Sequence, residues 1–276
     1  MGPSVPLHHV TRGRRTLRRT LPLLLLAVAA TGCDTFGAPD PITKQAQRAH
    51  DLWVGACLAA LVVGVFVWAL IGFAVVRYRK RSESLPPQVR YNLPVEVLYT
   101  VVPFVIVMGL FYYTARDEDY IDKVTKHPQV TVQAVGFRWS WQFNYLSDSP
   151  PNHLISVTGT DYNYPTLVLP EHETVLIELT ASDVIHEFWV PQMLFNRQNI
   201  PGFENQVEVT FTKTGDWIGH CAQLCGTYHD RMSFYLKVVP PAQYQSYIAK
   251  LRAAALAAAP SKDTQSGAVV TAGSAS

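Results

Sequence analysis

The chain has 276 residues, 48% of them apolar and only 16% charged. That composition excludes a disordered chain, and a charge density well below the ~25% of ordinary globular domains argues against a wholly water-exposed one. The net charge of +2 conceals a polar distribution: residues 1–32 hold five Arg and no acid, residues 77–90 hold five bases and Glu83, and residues 117–240 hold fifteen acids against seven bases, a net of −8. So acidic a C-terminal region argues against a nucleic-acid partner and suits a basic protein surface.

Residues 1–32 read as a signal peptide of lipoprotein type. Arg12 to Arg19 form a cationic start, and the ten residues 21–30 form a short apolar run, too short for the ~20 residues a bilayer requires. Ala30, Thr31 and Gly32 then precede Cys33, so Cys33 is the expected lipidation site and the expected start of the mature chain. Residues 33–52 follow as a mature N-terminal segment.

Residues 53–116 read as a two-helix transmembrane hairpin. Residues 53–76 are 24 without a charge, enough for ~36 Å of helix. Arg77, Arg79, Lys80 and Arg81 come next and mark the cytoplasmic side. A second uncharged run of 19, residues 97–115, ends at Arg116 and a cluster of acids on the far side. The chain therefore runs out, in, out. Cys57, inside the first run, reads as a packing residue.

Residues 117–240 form the exported domain. From about Gln129, short runs rich in β-branched and aromatic residues alternate with Pro, Asn, Asp and Gly, which predicts an antiparallel β-sandwich or barrel. Residues 241–259 read as a C-terminal helix and 260–276 as a small-residue, disordered tail.

Chemistry concentrates in Cys221-x3-Cys225-x3-His229-x2-Met232, with His186 some 35 residues upstream. Thiolate, imidazole and thioether together favour copper, and one remote His with a Cys–His–Met loop is the ligand logic of a blue-copper domain. The added cysteine lets two sulfurs bridge two metals, with one His for each. A structural zinc site is the competing reading of Cys-x3-Cys-x3-His. His220 competes as a ligand, and Trp139 and Trp141 both suit a strand core.

This order of ligands resembles subunit 2 of cytochrome c oxidase and its binuclear copper centre, CuA. The resemblance spans residues 50–240 and includes the aromatic run from Gly136 to Tyr145, as well as Glu96, Thr100 and Pro103 at the start of the second span. It implies a cupredoxin-like domain in which His186 and His229 each ligate one copper. Cys221 and Cys225 bridge both, Met232 is axial on one, and the Gln223 main-chain carbonyl is axial on the other. It further implies electron input through Trp139, proton uptake through Glu96 and partner docking at Asp183; Asn144 replaces a carboxylate often found in that docking patch. The partners it implies are a c-type cytochrome donor, free or tethered, and haem-bearing subunit 1 of a proton-translocating oxidase, of aa3 type, in the bacterial plasma membrane. The family's usual Glu at position 223 also reaches a magnesium or manganese ion; the neutral amide of Gln223 is a poorer ligand for a hard dication and weakens that site. A quinol oxidase subunit would share the fold but lack the copper ligands. A tethered copper carrier has no need of Glu96 or the aromatic run, and nitrous oxide reductase does not match the paired spans.

Overall fold

A computed structural model describes residues 36–80, 88–151 and 153–258. The signal segment, Cys33 and the tail from residue 260 lie outside the described residues, as does Arg81.

Helix α1 (Lys44–Arg77) is capped by Thr43, whose hydroxyl accepts from the Ala46 amide at 2.9 Å, satisfying one of the orphan donors of the first turn. It ends on Arg77, a cation at the negative end of the helix dipole. Helix α2 (Leu93–Ile121) starts behind Asn92, with Pro94 in its first turn. The Glu96 carboxylate accepts from the Asn92 amide at 2.9 Å, so Glu96 caps this helix whatever else it does. Large apolar side chains along both helices are open on every side, Val62 and Trp68 at 70% and 71% exposure among them. Within these helices of 34 and 29 residues, the uncharged stretches 53–76 and 97–115 are apolar all round and built for lipid or for neighbouring helices rather than for water.

The β-rich domain that follows α2 is a sandwich of two five-stranded sheets. One contains β1 (Val130–Phe137), β2 (Ser140–Tyr145), β3 (Ser156–Thr158), β5 (Thr174–Ala181) and β8 (Asn205–Thr210), in the order β3-β2-β1-β5-β8. The other contains β4 (Thr166–Pro170), β6 (His186–Val190), β7 (Phe195–Asn199), β9 (Gly215–Cys221) and β10 (Ser233–Val239), in the order β4-β10-β9-β6-β7. Strand alternation aims Val130, Val132 and Ala134 of β1 inward. Between the sheets, Phe234 stacks on Phe188 at 4.8 Å and meets Trp141 and Phe143 edge-on. The expected sandwich is present, with one correction: it is mixed rather than wholly antiparallel. β1 pairs with β5 in parallel, and β4 with β10. Each of these pairs joins strands distant in sequence, and only a long crossover allows parallel neighbours, whereas hairpin turns force antiparallel ones.

The segment before α1 is part of this domain. Thr43 bridges Phe211, the Thr212 amide donates to the Ile42 carbonyl, and the Thr210 amide donates to the Gln45 side chain. After α2, Thr125 donates through its amide and hydroxyl to Glu208 at 2.8 and 2.7 Å, and Arg197 pairs with Asp122. The sandwich thus grips the start of α1 and the end of α2, while Arg77 and Lys80 sit at the opposite end of the hairpin. Helix α3 (Pro241–Ala258) packs on the sandwich through Tyr244, which donates to Asp148 at 2.6 Å, and through buried Ile248 and Ala255.

Candidate metal centre

β6 opens on His186 and β9 closes on Cys221, and the register pairs Phe188 with Cys221. Beyond Cys221 the chain turns through Gln223, Cys225 and Gly226, makes a short 3-10 turn at His229–Arg231 and returns through Met232 into β10. The Cys221 amide donates to the Met232 carbonyl at 2.9 Å and closes the base of this loop. Gly226, at φ +126°, takes a backbone conformation that side-chain-bearing residues rarely adopt.

The donor atoms converge. Cys221 Sγ lies 3.8 Å from His186 Nδ1, 3.3 Å from the Gln223 carbonyl oxygen and 3.9 Å from Cys225 Sγ. Cys225 Sγ lies 3.6 Å from His229 Nδ1 and 3.8 Å from Met232 Sδ. Ligand bonds of ~2.1–2.3 Å in tetrahedral geometry separate donor atoms by ~3.6 Å, so these spacings fit metal ligation. They are far too long for a disulfide, and both thiols are free. Burial, then the neighbouring Cys221, pushes the Cys225 thiol up to about 12. Two buried thiols this close become thiolates only beside compensating positive charge, which a metal provides.

His186 is fully buried, and burial holds its pKa below the ordinary value against the opposing pull of Asp183. Its Nε2 lies 2.9 Å from Asp183 Oδ1. Burial would raise the Asp183 pKa, but hydrogen bonds from His186, the Val184 and Arg138 amides and the Arg138 side chain outweigh it and bring it to about 2. The carboxylate is ionised and accepts only, so Nε2 carries the proton and the Nδ1 lone pair faces the sulfurs. Asp183 was expected at a docking surface. Its side chain is 24% exposed, and both oxygens accept hydrogen bonds within the chain.

Gly136 makes room for the His186 ring, since a Cβ there would stand 2.9 Å from Cδ2. His220 points elsewhere: its Nδ1 lies 3.0 Å from Ser233 Oγ, as alternation along β9 requires when Cys221 faces inward. Trp141 is fully buried in the aromatic core, whereas Trp139 stands half-buried at the β1–β2 turn beside the metal loop. Gly136 and Tyr228, whose ring meets the Trp139 indole edge-on at 5.0 Å, escaped sequence reasoning. A glycine heading the aromatic run was the available signal for the first; nothing in the pattern signals the second.

The family model described as cytochrome C oxidase subunit II, transmembrane domain, matches residues 35–115, and that described as its periplasmic domain matches residues 130–239. The probable cytochrome c oxidase subunit 2 of Streptomyces coelicolor is 41% identical, with 86% of this chain and 87% of that protein covered. The chain belongs to the cytochrome c oxidase subunit 2 family. Cytochrome c oxidase subunit 2 of Mycobacterium tuberculosis is 33% identical over 86% of this chain and 82% of its own. Among solved structures, the periplasmic domain of subunit II of cytochrome oxidase from Bradyrhizobium japonicum is similar at 25% identity and a TM-score of 0.42, covering 48% of this chain and 99% of that one. Membership accounts for a membrane protein with two spanning helices followed by a cupredoxin-like sandwich, and for a His186–Cys221–Cys225 group in a family that carries copper.

Proposed function

We propose that the chain is the electron-transfer subunit of a cytochrome c oxidase and holds two copper ions as a CuA pair. The observation that carries this reading is the convergence of four donor groups on two neighbouring sulfurs: His186 and the Gln223 carbonyl on Cys221, His229 and Met232 on Cys225; these six residues would hold the copper. Bound there, the pair would supply a one-electron relay from a reduced c-type cytochrome to haem in subunit 1, where oxygen is reduced to water.

The rest of the work falls to the chain's own residues. The sandwich holds the donors on neighbouring strands of one sheet and on a loop closed at its base, so their positions need not change with oxidation state. Asp183 fixes the tautomer and direction of His186. Asp183→Ala is expected to lower copper affinity by ~10–100-fold, as loss of an outer partner of a ligating histidine commonly does. Competition against a copper chelator measures it; undiminished affinity would reject that role. Trp139, beside the loop, is the proposed point of electron input. Docking would rest on the broader acidic surface of residues 117–240 rather than on Asp183 alone. With Gln223 in place of a carboxylate, a magnesium or manganese ion at that position would be held more weakly than by the family's usual Glu.

Glu96 is proposed to admit protons from the cytoplasmic side, near Arg77 and Lys80, with the oxidase in the plasma membrane and the copper domain on its outer face. Glu96→Gln should slow oxygen reduction while reduction of copper by the donor proceeds normally; unchanged steady-state turnover of the assembled complex would contradict it. The reading as a whole is tested by purifying the chain from its native membrane. Haem-bearing subunits must accompany it, and a chain that purifies alone with copper would favour a tethered copper carrier.

A further inference from the structure

Trp139 Nε1 is buried and has no hydrogen-bond partner. An indole without a polar anchor takes its orientation from packing alone. On one flank, Gly226 brings the loop backbone so near that a Cβ there would stand 3.2 Å from Nε1 and from Cζ2. From the same loop, the Tyr228 ring meets the indole edge-on, with centroids 5.0 Å apart and planes at 83°. The Arg231 guanidinium in turn lies 5.5 Å from the Tyr228 centroid. Tyr228 is 36% exposed, too open to be counted with the hydrophobic core. Arg231, Tyr228 and Trp139 therefore form a continuous series of contacts from solvent to the residue that follows Cys225.

We infer that Tyr228 is a positioning residue for electron input: its ring holds the Trp139 indole in place beside the loop segment that carries Cys225. The inference rests on the proposed role of Trp139. One electron leaves the reduced donor for the metal pair; no bond forms and no proton moves, so only the placement of the indole is at stake. The contact belongs to the ring and not to the hydroxyl.

In the assembled complex, Tyr228→Ala should slow electron transfer from saturating reduced cytochrome c about tenfold or more, the scale on which ångström misplacement acts. The donor concentration for half-saturation and the paramagnetic spectrum of the copper should stay as they are. Tyr228→Phe keeps the ring and should restore the rate. A second readout is independent of turnover. Hydroxyl-radical footprinting of the full chain, with or without copper, should oxidise Trp139 several-fold more in Tyr228→Ala than in the wild type, with Tyr228→Phe again restoring protection. A transfer rate or a Trp139 footprint in Tyr228→Ala that matches the wild type overturns the inference. Trp139→Leu separates the two levels of the claim. If it transfers electrons at the wild-type rate, the reading of Trp139 itself falls; if it is slow while Tyr228→Ala is not, only the role of Tyr228 falls.

Discussion

Replacing either bridging cysteine, as Cys221→Ser or Cys225→Ser, is expected to abolish the two-copper centre rather than weaken it. Each sulfur stands among several other donors: Cys221 Sγ faces His186, Gln223 and Cys225, and Cys225 Sγ faces His229 and Met232. A serine oxygen is smaller and harder, and it forms a poor bridge between copper ions that prefer thiolate. It also gives up its proton less readily than the thiol, in a pocket whose burial already opposes ionisation. Met232→Leu should behave differently. Met232 is 1% exposed and touches one sulfur only, so leucine fills its volume and the pair persists with a shifted redox potential. Copper content of the purified full chain distinguishes these outcomes, and two coppers retained by Cys221→Ser would contradict the bridging assignment.

The largest effect on folding is expected at Gly219, directly behind the metal loop. Gly219 faces Phe234 across the β9–β10 register, and a Cβ there would stand 2.1 Å from Cζ and 2.5 Å from both Cε atoms of that ring. The ring has nowhere to go: Phe234 is fully buried, stacked on Phe188 and flanked by Trp141 and Phe143. Gly219→Ala should therefore cost about 3 kcal/mol, the upper part of the range for overpacking a filled core. Denaturant unfolding of the metal-free protein measures it. Phe234→Leu in the Gly219→Ala background should recover part of the loss, a coupling that independent sites would lack. A stable Gly219→Ala chain would mean that the core is looser than its ring geometry implies.

Much of this was legible in the residues. The candidate copper ligands were readable because five of them share one loop, and the spans because two uncharged runs flank a cationic stretch. β1, β5 and β10 announced themselves through β-branched and aromatic residues. β9 did not, because Gly215 and Gly219 interrupt it; the second exists to admit the Phe234 ring, a requirement visible only once β10 lies alongside. β7, Phe195–Asn199, is largely polar because it lies at the edge of its sheet. The hydrogen bond from the Arg138 amide to Asp183 and the room Gly136 leaves for His186 depend on contacts between segments distant in sequence. Trp139 and Trp141, two residues apart, read as one strand face, yet Ser140 begins β2 and leaves Trp139 in the turn. Local pattern carries chemistry well when the ligands are neighbours, and poorly when the supporting residue arrives from another strand.

The central claim, one copper pair shared by two sulfurs, is tested most directly by paramagnetic resonance of the copper-loaded full chain alongside its metal count. The account predicts two coppers per chain and a single unpaired electron spread equally over both nuclei. A pattern from one copper nucleus, one copper per chain, or zinc held in preference to copper would contradict it.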